Sequence, residues 1–79
     1  MQLTILYFAG LRDLVARPEE VIEVTSEQQV KDVLLLLQKL HPHLQLVGVR
    51  VAVNEEFVQV DHPLQSGDTL ALIPPVSGG

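Results

Sequence analysis

The residues whose types and spacing suggest chemistry are the last six, Pro74-Pro75-Val76-Ser77-Gly78-Gly79. Proline lacks a backbone N–H and fixes φ, so Pro74 is expected to end strand pairing and Pro75 to keep the chain extended. Val76 and Ser77 continue that line, and Gly78 and Gly79 strip the tip of side chains. Six extended residues reach at most roughly 20 Å beyond a folded body. Such a tip fits a channel too narrow for any β-carbon and presents the α-carboxylate of Gly79 at its end. A glycine carboxylate is also the least hindered acyl group that a chain can offer to an enzyme. A frayed end would have glycine too, but it would have no need of two stiffening prolines directly after a strand.

Other residue types give weaker leads. His41 and His43 flank Pro42, and His62 precedes Pro63. These positions suit surface or capping roles better than convergent metal ligation backed by further hydrogen-bonding partners. Glu19-Glu20 and Glu55-Glu56 lie beside turns, where solvated charge is the ordinary state and nothing builds a pocket around a carboxylate pair. Gly10, Gly48 and Gly67 stand alone, so there is no glycine-rich phosphate loop. With no cysteine in the chain, there is no disulfide, thiolate site or cysteine nucleophile, and any sulfur handled here must arrive from elsewhere.

Composition narrows the classes further. A chain of 79 residues with 47% hydrophobic content is expected to form one domain over 1–79, with 74–79 as a flexible tail. Its net charge of −5 argues against a nucleic-acid surface. The apolar runs at Ile5–Ala9 and Val33–Leu37 are far short of a membrane span, and Met1-Gln2-Leu3-Thr4 carries no basic residue of the kind a signal peptide shows. The expectation is a cytoplasmic protein with neither membrane nor nucleic acid as partner.

The rest of the chain must position the tail. Leu3–Phe8 reads as a strand with Leu3, Ile5 and Tyr7 on one face and Leu6 and Phe8 on the other. Leu11, Leu14 and Val15 allow one or two helical turns before Pro18. Val21, Ile22 and Val24 form a short strand, expected to pair antiparallel with the first. Ser26 is the expected N-cap of the main helix, with Gln29 completing a capping box and Glu27 and Lys39 matching the helix dipole. Val30, Val33, Leu34, Leu37 and Leu40 make its apolar stripe, and His41-Pro42 ends it. Val49–Val53, Phe57–Val60 and Thr69–Ile73 complete a β-β-α-β-β-β order. One helix covers one sheet face, which leaves Leu6, Phe8 and Ile73 on the open face near the root of the tail, as a candidate docking patch.

Taken together, Tyr7-Phe8-Ala9 with Arg12, Ala52-Val53-Asn54, Asp61-His62-Pro63-Leu64, Gly67-Asp68 and Ile73 through Gly79 resemble the ubiquitin-like β-grasp sulfur carriers. The likeness is greatest to the small subunits of molybdopterin synthase, and it runs over essentially the whole chain. It implies an α+β fold: a mixed sheet, one main helix on one face and an extended C-terminal tail. It also implies that an adenylating, ubiquitin-activating-like enzyme uses ATP to activate Gly79, which becomes a thiocarboxylate. The large synthase subunit would receive the tail and pass its sulfur to a pterin precursor, building the molybdopterin dithiolene within a heterotetramer. On this reading the chain is non-catalytic alone and binds no cofactor; Gly78 and Gly79 carry the chemistry, and Leu6, Phe8, Ile73, Pro74, Pro75, Val76 and Ser77 make the partner contacts. Ile73 stands where bulkier aromatics also occur in that family. Two other readings stay open at this point: a sulfur carrier for thiamine, thiolated tRNA or cysteine synthesis, and a ubiquitin-like binding module whose tail does no chemistry.

Overall fold

Alternating burial organises the first strand. In the computed structural model, which describes residues 1–75, β1 (Gln2–Tyr7) turns Leu3, Ile5 and Tyr7 into the core and Gln2, Thr4 and Leu6 outward. It is followed by α1 (Ala9–Val15), β2 (Glu19–Glu23), α2 (Val30–Leu40), β3 (Arg50–Val53), β4 (Glu56–Val58) and β5 (Thr69–Ile73). The sheet order is β2-β1-β5-β3-β4, with β1 and β5 parallel and the other neighbours antiparallel. A mixed five-stranded sheet holding one main helix is the ubiquitin-like β-grasp architecture.

Helix α2 buries Val30, Val33 and Leu37, with Leu34 and Leu36 packed at the margins of the core. Its start departs from the expectation at Ser26. The N-cap is Gln29, whose N–H donates to Asp32 Oδ2 at 2.8 Å, while Glu27 sits outside the helix at φ 65°. The physical reason is tertiary. The N–H groups of Val30 and Lys31, which no helix turn can satisfy, donate to the carbonyls of His62 at 3.0 Å and Val60 at 2.8 Å. Those acceptors lie in the β4–β5 connection, so the helix begins where they are rather than at the nearest good capping sequence. Its dipole is matched by Asp32 instead of Glu27.

Other boundaries shift for similar reasons. Phe8 does not extend β1; its carbonyl accepts from Leu11 and Arg12, making it the N-cap of α1. Leu14 and Leu40, expected on apolar stripes, are half exposed, because α1 and α2 meet the core along narrower seams through Leu11, Val15 and Leu37. Val24 falls just outside β2, Val49 just outside β3, and β4 spans Glu56–Val58 rather than 57–60. The β3–β4 hairpin turns through Asn54 and Glu55, both at positive φ, as a two-residue turn that suits strand twist. The Asn54 amide ties this turn to β5: its Oδ1 accepts from the Thr69 N–H at 3.0 Å and its Nδ2 donates to Asp68 Oδ1 at 2.9 Å. Leu44 and Leu64, in connections, fill the ends of the core.

One polar cluster is built into the helix side. The Tyr7 hydroxyl donates to Glu20 Oε1 at 2.8 Å, His41 Nε2 meets the same oxygen at 2.8 Å, and Arg17 reaches Glu20 Oε2 at 3.4 Å. This joins β1, β2 and the residue that ends α2. Burial, then the hydrogen bond and charge of Glu20, push the Tyr7 phenol well above its ordinary value, so it stays neutral. Burial raises the Glu20 carboxyl, but hydrogen bonds from His41 and Tyr7 and the charges of His41 and Arg17 outweigh it and hold it below the usual carboxylate range. A depressed folded-state pKa contributes stability above the unfolded value, which is lost as pH falls through the folded one. Glu20→Gln should therefore cost about 1–2 kcal/mol at neutral pH. Thermal melts from pH 7 down to pH 3 check this: the gap from the wild type should close in acid, and a gap of constant size would contradict the assignment.

Candidate functional site

The strand period that buries Val51, Val53, Leu70 and Leu72 under α2 turns Arg50, Ala52, Thr69, Ala71 and Ile73 to the opposite face. Across that face the register aligns one row. Leu6 of β1 pairs with Ala71 of β5, Ala71 with Ala52 of β3, and Ala52 with Phe57 of β4. Two alanines between larger apolar residues leave a dent of about 350 Å³, lined by Leu6, Ala52, Ala71, Thr69, Asn54 and Glu55.

The next row lies at the root of the tail. Ile73, half-buried, pairs with Arg50, whose guanidinium carbon stands 3.9 Å from the centre of the Phe57 ring. This cation–π contact covers part of an aromatic side chain that still remains 53% exposed. Phe8, 43% exposed, sits one residue past the end of β1 as the extended N-cap of α1, so it follows Tyr7, which pairs with Leu72 of β5. β5 ends at Ile73, and Pro74 and Pro75 leave the ladder because neither carries an N–H. Leu6, Phe8, Ile73, Pro74 and Pro75 are thus gathered around the end of β5. Val76, Ser77, Gly78 and Gly79 lie outside the described residues.

Sequence reasoning assigns no role to Arg50, Ala52 or Phe57 on this face. The signal was present in the phase of the strand: if Val51 and Val53 point inward, Arg50 and Ala52 point outward. Phe57 became visible only through its cross-strand pairing. The histidines lie elsewhere. His41 serves the Tyr7–Glu20 cluster and His62 the start of α2. Among the described residues no group of three His, Asp or Glu is placed to hold a metal. The face is aliphatic and aromatic with Thr69, Asn54, Glu55 and Arg50 at its margins, a composition suited to contact.

Comparison with known proteins fits this geometry. The chain is 36% identical over 83 aligned residues to the molybdopterin synthase sulfur carrier subunit of Chlamydomonas reinhardtii, covering 100% of both chains. Among solved structures it resembles the putative molybdopterin converting factor subunit 1 of Pyrococcus furiosus, at 29% identity and a TM-score of 0.87, covering 96% of this chain and 99% of that one. It also resembles the small archaeal modifier protein 1 of Haloferax volcanii, at 26% identity and a TM-score of 0.83, covering 95% and 98%. The ThiS family profile matches residues 5–79, a span that runs from the middle of β1 to Gly79, and the chain belongs to the ThiS family.

Proposed function

We propose that this chain is the sulfur carrier subunit of a molybdopterin synthase. The observation that carries the reading is its end-to-end likeness to a protein of that name, in a chain whose central strand leads directly into Pro-Pro-Val-Ser-Gly-Gly. The carboxylate of Gly79 attacks the α-phosphorus of ATP on an adenylating enzyme, releasing pyrophosphate and leaving an acyl-adenylate. A carboxylate is a poor acyl donor until its oxygen belongs to such a leaving group. Sulfur delivered at the level of hydrosulfide then displaces AMP from the acyl carbon, and the product is the thiocarboxylate.

The tail then enters the active site of the large subunit, and its sulfur passes to a pterin precursor. Cleavage of the acyl–sulfur bond by water returns the Gly79 carboxylate for another round. The carrier supplies reach and an attachable end; acid, base and the pterin site belong to the partner. The open sheet face docks the body, with Leu6, Phe8 and Ile73 around the end of β5 and Pro74 through Ser77 continuing the contact. Holding the body fixes the distance over which the tail must reach.

Phe8→Ala tests the docking. An aromatic anchor that becomes buried on association is worth about 2 kcal/mol or more, and its exposure in the free chain means little stability is lost with it. Calorimetric titration with the large subunit should show that weakening at a nearly unchanged melting temperature; a large stability loss with unchanged affinity would place Phe8 in the core instead. The tip is tested by Gly78→Val and by one alanine added after Gly79. A reacting group displaced by about 1 Å loses on the order of 10²-fold in rate, so both changes should abolish thiocarboxylate formation or molybdopterin synthesis without moving the melting temperature. Mass spectrometry of the carrier and assay of the product in the reconstituted system give the answer. Wild-type synthesis by the extended chain would show that Gly79 is not the working end.

A further inference from the structure

The antiparallel pairing of β3 with β5 ends at Arg50 and Ile73. Continuing the same count places Val49 opposite Pro74 and Gly48 opposite Pro75, where no ladder hydrogen bond from the prolines can form. Gly48 lies at φ +77°, a conformation that L side chains rarely adopt. A β-carbon at this position would lie 3.3 Å from Pro75 Cγ, 3.6 Å from its Cβ and 3.8 Å from its Cδ. A side chain at position 48 would therefore crowd the ring of Pro75, which would have to give by a few tenths of an ångström.

We propose that Gly48 is a positioning residue for sulfur transfer: its bare backbone seats the Pro75 ring and so sets the direction in which the tail leaves the sheet. This rests on the carrier reading above and adds to it a residue that no step of that reading uses. Packing against Gly48 takes over from hydrogen bonding at the point where proline ends the ladder, so the direction of the chain stays determined for two residues past β5. Four residues follow Pro75, an arm of at most about 14 Å.

Gly67 provides the internal control. It also has positive φ, at +91°, but a β-carbon there would meet nothing within 4 Å. Its N–H donates to the Gln2 carbonyl at 2.7 Å, at the end of the sheet opposite the tail. Gly67→Ala thus imposes backbone strain of the same kind without touching Pro75. Gly48→Asn is the companion variant, because asparagine tolerates positive φ while still bringing a β-carbon against the ring. Pro75→Ala removes the Cγ and Cδ contacts and leaves a β-carbon at 3.6 Å, an ordinary approach.

The experiment measures sulfur transfer at saturating carrier in the full system of adenylating enzyme, large subunit and intact chain, beside melting temperatures. Gly48→Ala and Gly48→Asn should each lose about tenfold or more, and Gly67→Ala less than about twofold. In the Pro75→Ala background, itself slower than wild type, the further loss from Gly48→Ala should shrink to under about threefold, because the group it collides with is gone. Undiminished transfer by both Gly48 variants overturns the proposal, and so does a Gly48→Ala loss of equal size in both backgrounds, which would mean backbone strain alone. No transfer by the wild-type chain would instead overturn the carrier reading on which the proposal rests.

Discussion

The placement of β5 is the constraint on which the rest of the molecule depends. It is hydrogen-bonded on both sides, parallel to β1 and antiparallel to β3, and its Leu70 and Leu72 side chains are fully buried. A strand in that position cannot fray without opening the core, so its end at Ile73 is as firmly held as any point in the fold. The parallel pairing also fixes polarity. β1 and β5 run the same way, which puts the start of β1 and the exit of the tail at opposite ends of the sheet. An edge strand would have left the tail root among unpaired backbone groups; a central one gives it neighbours on both sides.

Much of this was legible in the sequence because it depends on strand period and on residues with unusual backbones. Leu3, Ile5 and Tyr7 alternate cleanly, Val51 and Val53 do the same, and Pro74 marks the end of β5 without ambiguity. What was not legible depends on partners distant in the chain. Ser26 is a better local cap than Gln29, yet the carbonyls of Val60 and His62 decide where α2 begins. Leu40 continues the spacing of a buried stripe but lies past the end of the seam with the sheet. Leu44 lies in a connection with no period at all, and nothing local distinguishes it from exposed Val47. On the open face, Leu6 and Ile73 follow from alternation, while the contact of Arg50 with the Phe57 ring needs the hairpin register. Gly48 is invisible as a seat for Pro75 until β3 and β5 are laid side by side.

Size explains why one face is left for contact. A chain this short buries a modest fraction of its surface and has room for a single layer of helix. α2 takes the face of Leu3, Ile5, Leu70 and Leu72. The other face keeps only what the opposite phase of the strands supplies, and here that is small and apolar: Ala52 and Ala71 in the middle, Leu6 and Phe57 at the sides. The Tyr7–Glu20–His41 cluster belongs wholly to the covered side. Substitutions that tune stability there are therefore physically separated from those on the open face.

The same separation runs along the chain at the tail. Proline restricts the unfolded and unbound backbone, so an extended segment that contains it loses fewer conformations when a partner holds it. Glycine does the reverse, losing more freedom on ordering than any other residue. The sequence places its two prolines at the root and its two glycines at the tip. Stiffness is thus concentrated where the fold can direct it, through β5 and the seat at Gly48. The residues that cost most to order are confined to the last two positions of the chain. A partner that grips the sheet face has then to order only a short length of chain, and the root of that length is already aimed by the body it holds.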